Sequence, residues 1–236
     1  MDRGKYMNPT ETKKIYTSIN VYGGHCFADD YLTSIQLLLQ NAQKNNSDIS
    51  VFTYTLPIIT MLIAFLESNI NNTLDLFNHP NNYIVTDNKT REFIQQIRND
   101  FINPKQTPFL EKYYILMKYY KNINIKSDNR YEKVDDIRKI RNELIHDKSY
   151  IINDTNEELG NSIKLLQKYI EPNNNLKGFV PKWLPYFEYN SLCWMTKSIF
   201  DFYLWYSELL TEDKPPFYES KIRKIISMHS TLNTEN

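Results

Sequence analysis

Arg141, Asn142 and His146 are the residues of this chain whose types and spacing best suit chemistry. On a helix turning about 100° per residue, Asn142 and His146 stand one turn apart on a shared face, and the long side chain of Arg141 reaches them from the adjoining position. An imidazole exchanges protons near neutral pH, a guanidinium grips a phosphate through its planar fork, and an amide can orient either one. Together they form a toolkit for cutting RNA. A plainer reading uses the same residues: Arg141 pairs with Glu143 or Asp147, and His146 closes the helix C-terminus, where the dipole favours its charge.

The segment that carries them, residues 131–147, spaces Val134, Ile137, Ile140, Leu144 and Ile145 over one apolar arc, and Arg141 falls inside that arc. A guanidinium cannot shed its charge, so a core-facing position demands a carboxylate, a phosphate or a water-filled cleft beside it. Arg138, Lys139 and Lys148 flank the group as candidate phosphate ligands, although Arg138 and Lys139 read equally well as a solvated charged face.

Ile140-Arg141-Asn142-Glu143-Leu144-Ile145-His146 resembles the signature of the HEPN superfamily, an Arg followed by a polar residue and, after four to six intervening positions, a His. The resemblance covers about residues 28–170 and leaves 176–236 without a counterpart. It implies an antiparallel helical bundle that pairs into a homodimer, with two motifs facing each other across a cleft that cuts single-stranded RNA without a metal or other cofactor, leaving 2′,3′-cyclic phosphate ends. Carried onto this chain, it makes His146 the proton-transfer group, Arg141 the stabiliser of charge on the phosphate, and Asn142 the residue that orients them. Glu67, on the earlier helix, takes the place of the acid that holds Arg141. Such domains serve as toxins or anti-phage effectors, so an antitoxin or other inhibitory protein is an expected partner beside RNA. The alternative is a non-catalytic HEPN-like helical module that binds a partner protein or RNA. One departure stands out: the Tyr found two residues after the His in toxins paired with a nucleotidyltransferase is here Lys148, with Tyr150 the nearest tyrosine.

The elements that must position these groups are helical. Apolar residues recur at helical spacing from Leu32 through Leu39 in a helix over 28–44, and again in a long helix over 48–78. There Ile59, Leu62, Ile63, Leu66, Ile70 and Phe77 form a stripe, and Pro57 opens or kinks the main part. Further helices are predicted over 91–101, 108–120, 131–147 and 155–170, with breaks at 80–88 and 122–129. Residues 171–236 form a helical extension on the bundle, and residues 1–27 an irregular lead. The extension is rich in aromatic side chains, among them Trp194, Phe200, Phe202, Tyr203 and Tyr206. Stacking on bases is one use for them; a core helix over 191–210 with its rings packed on the bundle is the other.

Composition excludes more than it assigns. Only five Gly and ten scattered Pro punctuate 236 residues, against an all-β architecture and for an all-α one. Lys and Arg total 28 and so do Asp and Glu, so no overall field draws in a polyanion and any nucleic acid must be bound locally. Cys26 and Cys193 lack metal or redox spacing and read as reduced structural thiols. His25, His79 and His229 stand apart from other ligand types. Gly23-Gly24-His25 is too short for a phosphate loop, and no serine or cysteine nucleophile motif is present. The N-terminus shows no secretory signal, which predicts a cytoplasmic protein. Residues 49–66 carry no charge and approach the length of a membrane span, but Ser50, Thr53, Tyr54 and Thr60 dilute the run and predict a buried core helix instead.

Overall fold

The computed structural model describes residues 27–44, 48–78, 88–103, 106–145, 161–172, 186–211 and 218–230, and the chain is all-α, with no strand among these residues. The helices are α1 (Phe27–Lys44), α2 (Asp48–Asn78), α3 (Asn88–Phe101), α4 (Phe109–Leu116), α5 (Asn129–Ile145), α6 (Asn161–Leu166), α7 (Tyr189–Thr211) and α8 (Glu219–Ser230). A π-helical turn, Met117–Lys121, continues α4, and a 3₁₀ turn, Ile125–Ser127, precedes α5.

α2 is the spine, packing along α1 and also touching α3, α4, α5 and α7. The reason lies in its spacing: Ile58, Ile59, Leu62, Ile63, Phe65, Leu66 and Ile70 are all buried, a stripe wider than one partner can cover. Pro57 sits inside the helix without ending it, exposed on the outer side. Thr53–Asp75 is long and apolar enough to cross a membrane by length and composition alone, and its buried side chains face the other helices of the bundle.

α7 lies against both α2 and α5, so the aromatic residues of the C-terminal region build the centre of the core. Phe65 meets three rings edge-on, those of Phe200 at 5.8 Å, Tyr203 at 5.0 Å and Tyr218 at 6.0 Å between centroids. Tyr113 of α4 packs on Phe202 and Tyr206, and its hydroxyl donates to the Leu66 carbonyl at 2.8 Å. Such edge-to-face pairs set ring quadrupoles in favourable opposition. The rings are thereby committed to packing, and α7 spans Tyr189–Thr211, close to the predicted helix over 191–210.

α8 lies in the helical extension expected over 171–236, beyond the one helix predicted there over 191–210. It is short, and it holds by burying Ile222 and Ile225 and by the reach of Lys221 to Asp29 and Thr33 of α1, at 2.7 and 2.9 Å. The predicted helix over 108–120 changes character part-way: the last turn widens to π geometry and stops at Asn122, whose φ of 56° is left-handed, a conformation Asn tolerates better than most residues. The irregular lead assigned to 1–27 falls almost wholly outside the described residues.

Candidate functional site around Arg141

α5 begins at a side-chain cap. Asp128 Oδ1 accepts from the Arg130 backbone N–H at 2.8 Å, and the Asp128 carbonyl accepts from the Glu132 N–H at 3.2 Å, closing the first turn. From there Val134, Ile137 and Ile140 point into the core, with Leu144 half-buried. Ile145, assigned to the same arc, is 42 % exposed: it stands at the far edge of the arc in the last described turn of the helix, where the arc has rotated out from under its neighbours.

Arg141 is half-buried, as its place in the arc requires. Its Nη1 donates to Asn142 Oδ1 at 2.9 Å, and its Nε is buried with no hydrogen-bond partner. A buried donor left unmatched costs about 1–3 kcal/mol, more when charged, so the Nε–H lacks a partner inside the bundle while other parts of the half-buried residue reach the surface. Asn142 spends its carbonyl oxygen on holding the guanidinium. His146 and Lys148 lie outside the described residues.

Glu67 does not hold Arg141. Its side chain is exposed, and it forms no ion pair with Arg141. Leu62, Ile63, Leu66 and Ile70 define the buried face of α2, and the residue after Leu66 is rotated about 100° away from it. Position 67 therefore emerges into solvent although both of its neighbours in the stripe are core.

Arg138 and Lys139 are spoken for by carboxylates. Arg138 donates to Asp135 Oδ1 through Nε at 2.9 Å and Nη2 at 2.8 Å, and Lys139 Nζ lies 2.8 Å from Asp135 Oδ2 and 3.2 Å from Asp136 Oδ1. Partial burial pushes the Asp135 carboxyl up, but the hydrogen bonds and charges of Lys139 and Arg138 outweigh it and hold the group below the usual carboxylate range. The same bond from Asp135 raises Lys139 above the ordinary lysine value.

The acid that matters on this helix is one the sequence reading passed over. Asp136 is buried, its Oδ2 accepting from Lys168 Nζ and from the Tyr169 hydroxyl, each at 3.0 Å, in the segment that follows α6. Tyr169 stacks on Trp194 of α7 at 4.6 Å and so joins three elements through one carboxylate. A signal was available: Asp136 lies four residues before Ile140 and hence on its face. Its partners were not legible, being 32 and 33 residues away along the chain.

No protein-family model, no curated protein and no solved structure matches the chain. The site therefore stands on its own geometry and on the short resemblance around Arg141.

A second buried polar group lies between α7 and α8, where the Tyr189 hydroxyl is hydrogen-bonded to Nδ1 of His229 and Cys193 lies on the same helix as Tyr189. Burial lowers the His229 pKa, and it pushes the Cys193 thiol up to about 11, offset only in part by the Tyr189 hydrogen bond. A thiol so protonated is a poor nucleophile. Among the described residues no group of three or more His, Cys, Asp and Glu converges to hold a metal ion.

Proposed function

We propose that the protein is an endoribonuclease of HEPN type that cuts single-stranded RNA without a metal, working in the cytoplasm as a toxin or anti-phage effector. The observation that carries this reading is the state of Arg141: a half-buried guanidinium, fixed by Asn142 on one side and with a buried Nε awaiting an acceptor on the other. A phosphate of the substrate supplies that acceptor once the groups covering the Nε move aside, and the charge that grows on its oxygens as the bond breaks strengthens the contact in the transition state. The 2′-oxygen of the ribose attacks phosphorus, the bond to the 5′-oxygen breaks, and a 2′,3′-cyclic phosphate and a 5′-hydroxyl remain. His146, four residues beyond Asn142, is the group that takes up or delivers the proton. In a homodimer the two imidazoles divide these tasks.

The exposed position of Glu67 favours a second reading, a helical module that binds RNA or a partner protein without cutting, because Arg141 then lacks the acid that would lock its orientation. Purified protein incubated with single-stranded RNA in excess EDTA separates the two. Cleavage to cyclic phosphate ends, lost on the order of a hundred- to ten-thousand-fold in His146→Ala, is the expected result. Undiminished cutting by a folded His146→Ala protein, or no cutting by wild type, overturns the nuclease.

A further inference from the structure

The overall charge of the chain is balanced, yet one stretch is not. Residues 109–131 hold Lys112, Lys118, Lys121, Lys126 and Arg130 against Glu111 and Asp128. Lys112 is turned inward, with its Nζ 2.8 Å from Asn71 Oδ1, and the other four cations belong to the surface where α4 ends and α5 begins. Aromatic rings are interleaved with them. Phe101 at the end of α3 stacks on Tyr119 at 4.1 Å with 14° between planes, and the two rings remain 45 % and 37 % exposed. Lys118 Nζ lies 5.4 Å from the Tyr114 and Tyr119 rings alike, Lys126 Nζ 4.0 Å from Tyr114, and Lys121 Nζ 4.9 Å from Tyr120.

Two exposed rings stacked on each other outside any core are unusual in a chain that commits so many aromatics to packing. The π turn holds one of them, Tyr119. A π turn holds more residues per turn than an α-helix does, Lys118 and Tyr119 are exposed within it, and the left-handed Asn122 stops the helix immediately after. π turns cluster at functional positions.

We propose that the Phe101–Tyr119 stack and the lysines around it, Lys118, Lys121 and Lys126, form a docking track for single-stranded RNA that leads to the Arg141 end of α5. Unpaired bases stack on exposed rings whatever their sequence, and lysines follow the phosphates between them. A duplex, whose bases are already stacked, gains only the charge. The track continues along α5. Tyr131 opens α5 with its ring 6.4 Å from that of Phe202, and Arg138, seven residues on, shares the face of Tyr131; Arg141 follows one turn later, rotated about 60° toward the core. Lys126 and Arg138 each have a carboxylate partner, Glu111 at 2.8 Å and Asp135 at 2.8 Å, which a phosphate can displace or a strand can pass. The direction of the track rests on the nuclease reading; the binding surface does not.

The test is fluorescence anisotropy of the full chain with a 2′-O-methyl single strand, which cannot be cut through its own 2′-oxygen, and with a duplex of equal length. Wild type should prefer the strand and lose affinity with added salt. Tyr119→Ala should weaken binding on the order of ten- to a hundredfold while Tyr119→Phe retains it, and each of Lys118→Gln and Lys121→Gln should reduce the salt slope by about 0.7. Circular dichroism of each variant should match wild type, since these side chains lie at the surface. Binding unchanged in all three loss variants, no binding by wild type, or tighter binding of a polyglutamate peptide than of the strand overturns the track. If the variants lose the strand while wild type cuts no RNA, the track stands and the nuclease falls; if wild type cuts RNA and the variants bind and cut as it does, the nuclease stands and the track falls.

Discussion

Lys168 Nζ lies 3.0 Å from Oδ2 of Asp136, a carboxylate whose side chain is only 2 % exposed, and that contact ties the segment after α6 to the middle of the helix that carries Arg141. Lys139 approaches the other oxygen of the same group, so the acid is held from both sides. A buried carboxylate is stable only when its lone pairs are met in this way.

Asp136→Ala should therefore destabilise the fold by about 1–3 kcal/mol, the range for removing a buried, charge-assisted acceptor. Lys168→Ala should cost less, because its ammonium is half in water and Asp136 keeps two other donors. Urea midpoints followed by circular dichroism measure both, and equal losses in the two variants would contradict the unequal burial.

Phe65→Ala removes the ring on which Phe200, Tyr203 and Tyr218 converge. Large-to-small changes at such positions cost about 3–5 kcal/mol, a large part of the stability of an ordinary domain. The expected result is a strongly lowered urea midpoint or failure to accumulate folded protein. A shift comparable to that of a surface substitution would mean that α7 does not pack on α2 as described.

Glu67→Gln should leave both the urea midpoint and any RNA cleavage unchanged, because the side chain is exposed and makes no ion pair with Arg141. Loss of activity in this variant would restore the acid to the site.

Stability should fall as pH drops below the usual histidine value. The unfolded chain protonates His229 at about 6.5, whereas burial lowers its pKa in the folded state. Between those two values the unfolded chain binds the proton and the folded chain does not, so stability is full above about pH 6.5, declines through that window and levels off once the folded state is also protonated. Neither neighbour titrates there: Tyr189 is raised above the ordinary tyrosine value and Cys193 to about 11. Asp135, with its lowered pKa, adds a further loss only in the acid range, as pH falls through its own folded value. His229→Gln should flatten the upper decline in urea midpoints measured from pH 7.5 to 5, and an unchanged slope would assign the effect to another group.

The sequence by itself determined the all-α class and most of the helices, because burial along a helix repeats with the period of the helix and is written locally. Leu32, Ile35 and Leu39 of α1 and Ile59, Leu62, Ile63, Leu66 and Ile70 of α2 are buried as their spacing requires. It also determined that Arg141 faces inward, since a charge inside an apolar arc is visible without a partner. What the spacing could not carry is the angle at the margin of an arc and the identity of anything across a gap. Glu67 and Ile145 sit at such margins, where one step of about 100° separates core from solvent, and only the neighbouring helices decide on which side a residue falls. Asp136 meets Lys168, and Tyr189 meets His229, across separations of 32 and 40 residues that no local pattern encodes. The aromatic run of α7 suited stacking on bases and packing in a core equally well as a sequence. Tertiary structure chose the core, because α2 and α5 offered apolar faces on both sides of it, and it left the exposed stack to Phe101 at the end of α3 and Tyr119 in the π turn.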